Sequence, residues 1–238
     1  MADLHTVPDP AQEAIKHDDR EIFRFGLAPI FELLLAAMLA WGNFPGVPFG
    51  KTVSQFLLAS SSLWVRRTGW RSTGLRRPAN WPRTIALGVG IGIAAQAFDL
   101  LVITPLLIRI TGHAPDVSGF RSLIGDVPSL LYWLAVTWSF AAFGEEMVYR
   151  GYLLNRAADL FGHGRMGWLV AAIVSSLIFA AGHAYQGVAG MIDIAFSALI
   201  PVVAYFASGR NLWVPIILHG TGDTVGFILI FLHKYPGL

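Results

Sequence analysis

The feature that most limits the possible folds is an apolar run from Ile85 to Ile110, in which only Asp99 and Arg109 are charged. Inside hydrocarbon the backbone N–H and C=O groups have no water to bond, so they must be satisfied within the segment, as they are in a helix. The run also exceeds the ~20 helical residues needed to cross a bilayer core. Leu27 to Trp41, Val127 to Phe161, Trp168 to Tyr185, Met191 to Ala207 and Leu212 to Phe231 repeat the pattern, and Val53 to Val65 repeats it in a shorter form. The last of these is either a tilted short span or an interfacial helix. Only 13% of the 238 residues are charged and 55% are hydrophobic, whereas soluble domains are about a quarter charged. The expectation is an all-α, multi-pass transmembrane bundle of six to eight helices enclosing a polar cavity.

The polar stretches between the runs set the organisation. Residues 1–25 are mixed in charge and read as a polar N-terminal segment, with no short basic n-region of a signal peptide. Residues 26–238 then read as a single transmembrane helical domain. Pro45 and Pro48 mark a turn, and Gly88, Gly90 and Gly92 offer small residues for close helix packing. Arg66, Arg67, Arg71, Arg76, Arg77 and Arg83 fall in one loop without an acid, which places that loop on the cytoplasmic side. Contact with anionic lipid is a companion reading. No nucleic-acid role is implied, because the basic residues lie where topology accounts for them. Trp41, Trp64, Trp81, Trp133 and Trp213 stand near the ends of apolar runs, as interfacial anchors do. The chain has no Cys, which removes disulfides, thiolate metal sites and a cysteine nucleophile.

Glu145 and Glu146 follow the apolar run Leu130 to Phe143 after Gly144, and Arg150 comes four residues after Glu146. An ionisable group at membrane depth is costly and marks a functional site by default. On a helix Glu146 and Arg150 share a face, while Glu145 points about 100° away. This spacing pairs Glu146 with Arg150 and leaves Glu145 free for a cavity. Two further pairs occur on later runs: Phe179 with His183, and His219 with Asp223. A carboxylate and a histidine together can hold and deprotonate water, and a second histidine with its partner can donate to a forming oxyanion. Glu and His are also zinc and iron ligands, although neither H-E-x-x-H nor E-x-x-H occurs. Glu32, Asp99 and Asp193 read as pairing or cavity residues rather than catalysts. Pro201 is expected to kink its helix.

The ordered set Glu145-Glu146-x-x-x-Arg150, Phe179-x-x-x-His183 and His219-x-x-x-Asp223 resembles the motifs of the CAAX protease and bacteriocin-processing (CPBP, or Abi) family. These are intramembrane glutamic endopeptidases that include the type II CAAX prenyl endopeptidase. Gly209 to His219 is similar to the family's approach to its last motif, and Gly74-Leu75-Arg76-Arg77-Pro78 to its basic loop. The motif core covers residues 127–225. The resemblance implies a membrane hydrolase that needs no metal or other cofactor and cleaves membrane-associated peptides, prenylated or bacteriocin-like, in a bacterial cytoplasmic membrane. It implies that Glu145 activates the water with His183. His219 and residue 223 would form the oxyanion hole, with Glu146 and Arg150 in support. Asp223 stands where the prenyl-protease branch has Asn. An ionised Asp only accepts hydrogen bonds, so Asp223 either donates in its acid form or orients His219. The alternatives are a non-catalytic membrane protein that binds peptides, as an immunity factor would, and a metal-dependent membrane protease liganded by Glu145, His183 and His219.

Overall fold

A computed structural model describes residues 26–44 and 49–238. The polar segment 1–25 and the turn prolines Pro45 and Pro48 lie outside the described residues. Among the described residues every regular element is helical. Two shorter helices come first, α1 (Ala28–Trp41) and α2 (Gly50–Val65). Five helices long and apolar enough to cross a membrane follow: α3 (Trp81–Thr111), α4 (Val127–Phe161), α5 (Arg165–Gly182), α6 (Ala184–Ala207) and α7 (Trp213–Phe231). The chain is thus an integral membrane protein built as a multi-pass helical bundle. One expected span, Leu27 to Trp41, forms a helix too short to cross the bilayer core upright. The 14 residues of α1 reach about 21 Å at 1.5 Å per residue, against a core of about 30 Å.

Local chemistry explains where the helices start and bend. Asn80 and Asp126 cap α3 and α4 by accepting the backbone N–H of Arg83 and Ser129, at 3.0 and 2.8 Å. The Asp126 carboxyl is held below the usual Asp range by its hydrogen bonds from Ser129. Helix α4 ends at Gly162, whose φ of +86° suits a residue without Cβ. In α3 a π-helical turn at Asp99–Ile103 lies just before Pro105. There the proline ring would clash with the carbonyl of Leu101 in a regular helix. Helix α6 breaks at Ala198, one turn ahead of Pro201, which matches the expected kink.

The bundle is organised around α7. Glycines of α3 face it: a Cβ at Gly88 would stand 2.6 Å from Ile217 Cβ, and one at Gly92 would stand 2.6 Å from the Leu218 carbonyl. Small residues let two backbones approach this closely in a membrane, where packing rather than the hydrophobic effect holds helices together. Gly90, expected in the same seam, has nothing within 4 Å. Residues two apart on a helix point to different sides, so only the pair four apart forms the seam. On its other flank α7 meets α4 through Gly220, where a Cβ would stand 2.7 Å from the Trp138 ring. The space that Gly220 leaves is filled by that indole.

The basic loop 66–80 docks on the turn before α7. Tyr205 Oη donates to the Thr73 carbonyl at 2.9 Å, Asn211 Nδ2 to the Arg76 carbonyl at 2.9 Å, and Arg76 to the Gly209 carbonyl. Arg66 donates to both carboxylate oxygens of Glu32, at 3.0 and 2.9 Å, so Glu32 is a pairing residue as read. The carboxyl groups of Asp99 and Asp193 meet between α3 and α6. Trp133, expected as an interfacial anchor, packs edge-on against Phe120 and Phe49, at 5.0 and 6.1 Å between ring centroids.

Candidate active site

The middle of α4 departs from a regular helix, being π-helical over Thr137–Glu145 and again over Met147–Leu153. Glu146 sits at the junction of the two segments. Wide turns of this kind concentrate at functional sites. The spacing of four still holds here: Arg150 Nη1 donates to Glu146 Oε1 at 3.0 Å. The same oxygen receives His219 Nδ1 from α7 at 2.8 Å. A carboxylate only accepts, so Nδ1 of His219 carries a proton, and Nε2 lies toward Asp223. Glu146 is fully buried, at 0% exposure.

Arg150 is held on three sides. Besides Glu146 it donates through Nη2 to the Ala198 carbonyl at 2.8 Å, beside the break in α6. Its guanidinium also lies over the Phe179 ring, 4.9 Å from the centroid. That ring packs against the imidazoles of both His183 and His219, at 4.7 and 6.2 Å. Phe179 is therefore the apolar wall between the two histidines.

His183 caps its own helix at the end of α5. Its Nδ1 lies 2.9 Å from the Phe179 carbonyl, which only accepts, so Nδ1–H donates there. In the neutral ring Nε2 is then left as a lone-pair acceptor. The helix ends at Gly182 and the next begins at Ala184, so His183 sits in the α5–α6 junction rather than within a span.

Glu145 accepts from the Thr52 hydroxyl of α2 at 3.2 Å. Asp223 lies one turn past His219, with Oδ2 3.5 Å from His219 Nε2. The six predicted residues thus divide in two. Glu146 and Arg150 are buried and joined, with His219 attached to them. Glu145, His183, His219 and Asp223 are each partly accessible. Glu145 and His183 do not hydrogen-bond to each other; each is held by its own partner. Among the described residues no three His, Cys, Asp or Glu side chains stand as ligands for one metal ion.

Sequence reasoning missed the second contact of Glu146, to His219, which exists only because α7 packs on α4. It also missed Thr52 and Lys51 of α2. Lys51 Nζ donates to the Gly182 carbonyl at 2.9 Å, next to His183. The available signal was a lysine and a threonine together at the start of the segment.

Residues 127–225 match the family described as type II CAAX prenyl endopeptidase Rce1-like. This is the segment of α4 to α7 that carries the three motifs, and the match agrees with the motif resemblance. An uncharacterized 24.3 kDa protein of Escherichia coli is 30% identical over 145 residues, covering 59% of this chain and 64% of that protein. The chain thus spans under two thirds of the length of that curated relative. No solved structure matches the chain.

Proposed function

We propose that the protein is an intramembrane endopeptidase that hydrolyses peptide bonds of membrane-associated substrates with a water activated by Glu145. The observation that carries this reading is the division of the site. A buried Glu146–Arg150 pair anchors His219, and the accessible groups Glu145, His183, His219 and Asp223 surround it. A purely structural ion cluster has no need of accessible members.

In the reaction Glu145 accepts a proton from water, and His183 Nε2 accepts the water's other hydrogen and so orients its lone pair. The oxygen attacks the scissile carbonyl. Charge that develops on the carbonyl oxygen is met by Nε2–H of His219 in its doubly protonated form, whose Nδ1–H Glu146 holds in place. The proton on Glu145 then passes to the leaving amine as the C–N bond breaks. Asp223 stands one turn from His219 and acts on Nε2, steering it between its own carboxylate and the substrate oxygen. Such a scheme uses only this chain's side chains. The substrate class is a peptide anchored in the bilayer, prenylated or otherwise lipid-borne, with membrane lipid as its medium and a bacterial cytoplasmic membrane as its setting.

A product assay tests this against the peptide-binding alternative. Purified protein in lipid nanodiscs is incubated with a prenylated peptide and with an unprenylated membrane-spanning one, and the mixture is read by mass spectrometry. The expected result is two fragments whose masses sum to one substrate plus one water. Recovery of only intact peptide in both cases overturns the proposal and leaves a binding protein.

A further inference from the structure

Helix α2 lies outside the segment that matches the protease family, yet its first turn reaches the site. Thr52 is only 6% exposed and donates its hydroxyl to Glu145 Oε1 at 3.2 Å. A threonine on a helix commonly turns its hydroxyl back to its own backbone. Here the group is spent on another helix instead.

Three contacts fix it there. The Thr52 methyl would lie 3.1 Å from a Cβ at Gly144, so the glycine just before Glu145 is what lets α2 come this close. The neighbouring Lys51 is tied to the Gly182 carbonyl at the end of α5, where unsatisfied helix carbonyls attract a cation. One turn on, Gln55 accepts from Tyr149 Oη at 2.7 Å and donates to the Ala36 carbonyl at 2.9 Å. Helix α2 is thereby joined to α1, α4 and α5 around the two residues that would hold the water.

We infer that Thr52 is a positioning residue for Glu145: by occupying Oε1 it aims the carboxylate and leaves Oε2 as the atom that takes the proton from water. This rests on the reading of Glu145 as the base. A carboxyl free to rotate would offer either oxygen in many orientations, whereas one oxygen tied to a buried hydroxyl offers the other in a single direction. The helix outside the matched segment then completes the site without touching the substrate.

The test compares Thr52→Val, which keeps the shape and removes the donor, with Thr52→Ser, which keeps the donor and removes the methyl. For cleavage of a lipid-anchored peptide, kcat is expected to fall roughly 10- to 100-fold in the valine variant with KM within about twofold, a size that fits misplacement of a catalytic group. Serine restores most of the rate. A valine variant with parental kcat, or a serine variant as slow as the valine one, overturns the inference. A second readout is independent of turnover. A hydrophobic carbodiimide adds to carboxyls in their acid form, and a hydroxyl donor favours the ionised form. Labelling of Glu145, mapped by mass spectrometry with Glu145→Gln as the site control, is expected to be several-fold faster in the valine variant and parental in the serine one. The two failures separate: a parent protein that cleaves nothing sinks the endopeptidase reading, and equal labelling of all three proteins sinks the role of Thr52.

Discussion

Glu145 and Glu146 are adjacent acids on one helix, and the regions around them differ in kind. Around Glu146 the structure is closed: the side chain is fully buried, and one oxygen receives both Arg150 and His219. Around Glu145 it is open: the side chain is partly accessible, with a single hydroxyl, Thr52, bonded to it. A buried charge with charged partners is a fastening that ties α4 to α6 and α7. A partly accessible carboxylate whose hydrogen-bond partner is a neutral hydroxyl is held less firmly. Structure and proposed chemistry are thus allotted to neighbouring residues by which way each one faces.

The largest effect expected from this contrast is on stability. Arg150→Met leaves the Glu146 carboxylate buried without its main partner, a change that costs about 3–5 kcal/mol when one half of a buried ion pair is removed. Thermal unfolding in detergent should register this as a large drop in midpoint, while Glu145→Gln stays within about 1 kcal/mol of the parent, since an amide oxygen still accepts from Thr52. Equal losses in the two variants would erase the distinction between the two acids.

A smaller effect is expected at the seam that holds His219 against Glu146. A methyl at Gly92 would press on the Leu218 carbonyl and on Thr221, at 2.6 and 2.8 Å. Gly92→Ala should therefore cost about 1–3 kcal/mol, as overpacking does. Gly90→Ala, with open space before it, should fall within about 0.5 kcal/mol of the parent. Matched unfolding curves check the pair, and equal losses would show that α7 is not held by the α3 glycines.

The smallest effect concerns the far end of α4. The Asp126 carboxyl is held below its ordinary value by Ser129, so its folded pKa lies under its unfolded one. Its capping contribution is present above the unfolded value of about 3.9 and is lost as pH falls through the folded value. The difference in midpoint between the parent and Asp126→Ala should therefore be small at neutral pH and shrink further below about pH 4. A constant difference across that range would remove the charge from the cap.

How much of this was legible beforehand follows from what each contact depends on. The Glu146–Arg150 and His219–Asp223 pairs each lie within one helix, so a spacing of four was enough to read them. The bond from His219 to Glu146 joins α7 to α4, and no spacing within either helix contains it. Gly88 and Gly92 were legible as a packing seam but Gly90 was not separable from them until the neighbour of each was known. The π-helical turns of α4 left no mark that periodicity could detect, because the Glu146–Arg150 spacing survives them. Thr52 and Lys51 belong to a short helix whose sequence alone says nothing of where it docks.

In the proposed mechanism Glu145 is the base and Glu146 the fastening. The most direct measurement is the cleavage rate of Glu145→Gln in nanodiscs, made on protein whose unfolding midpoint matches the parent. A general base contributes roughly 10²–10⁴-fold to rate, so the account predicts a fall of at least about 100-fold in kcat with the fold intact. Cleavage at the parental rate by that folded variant would contradict it.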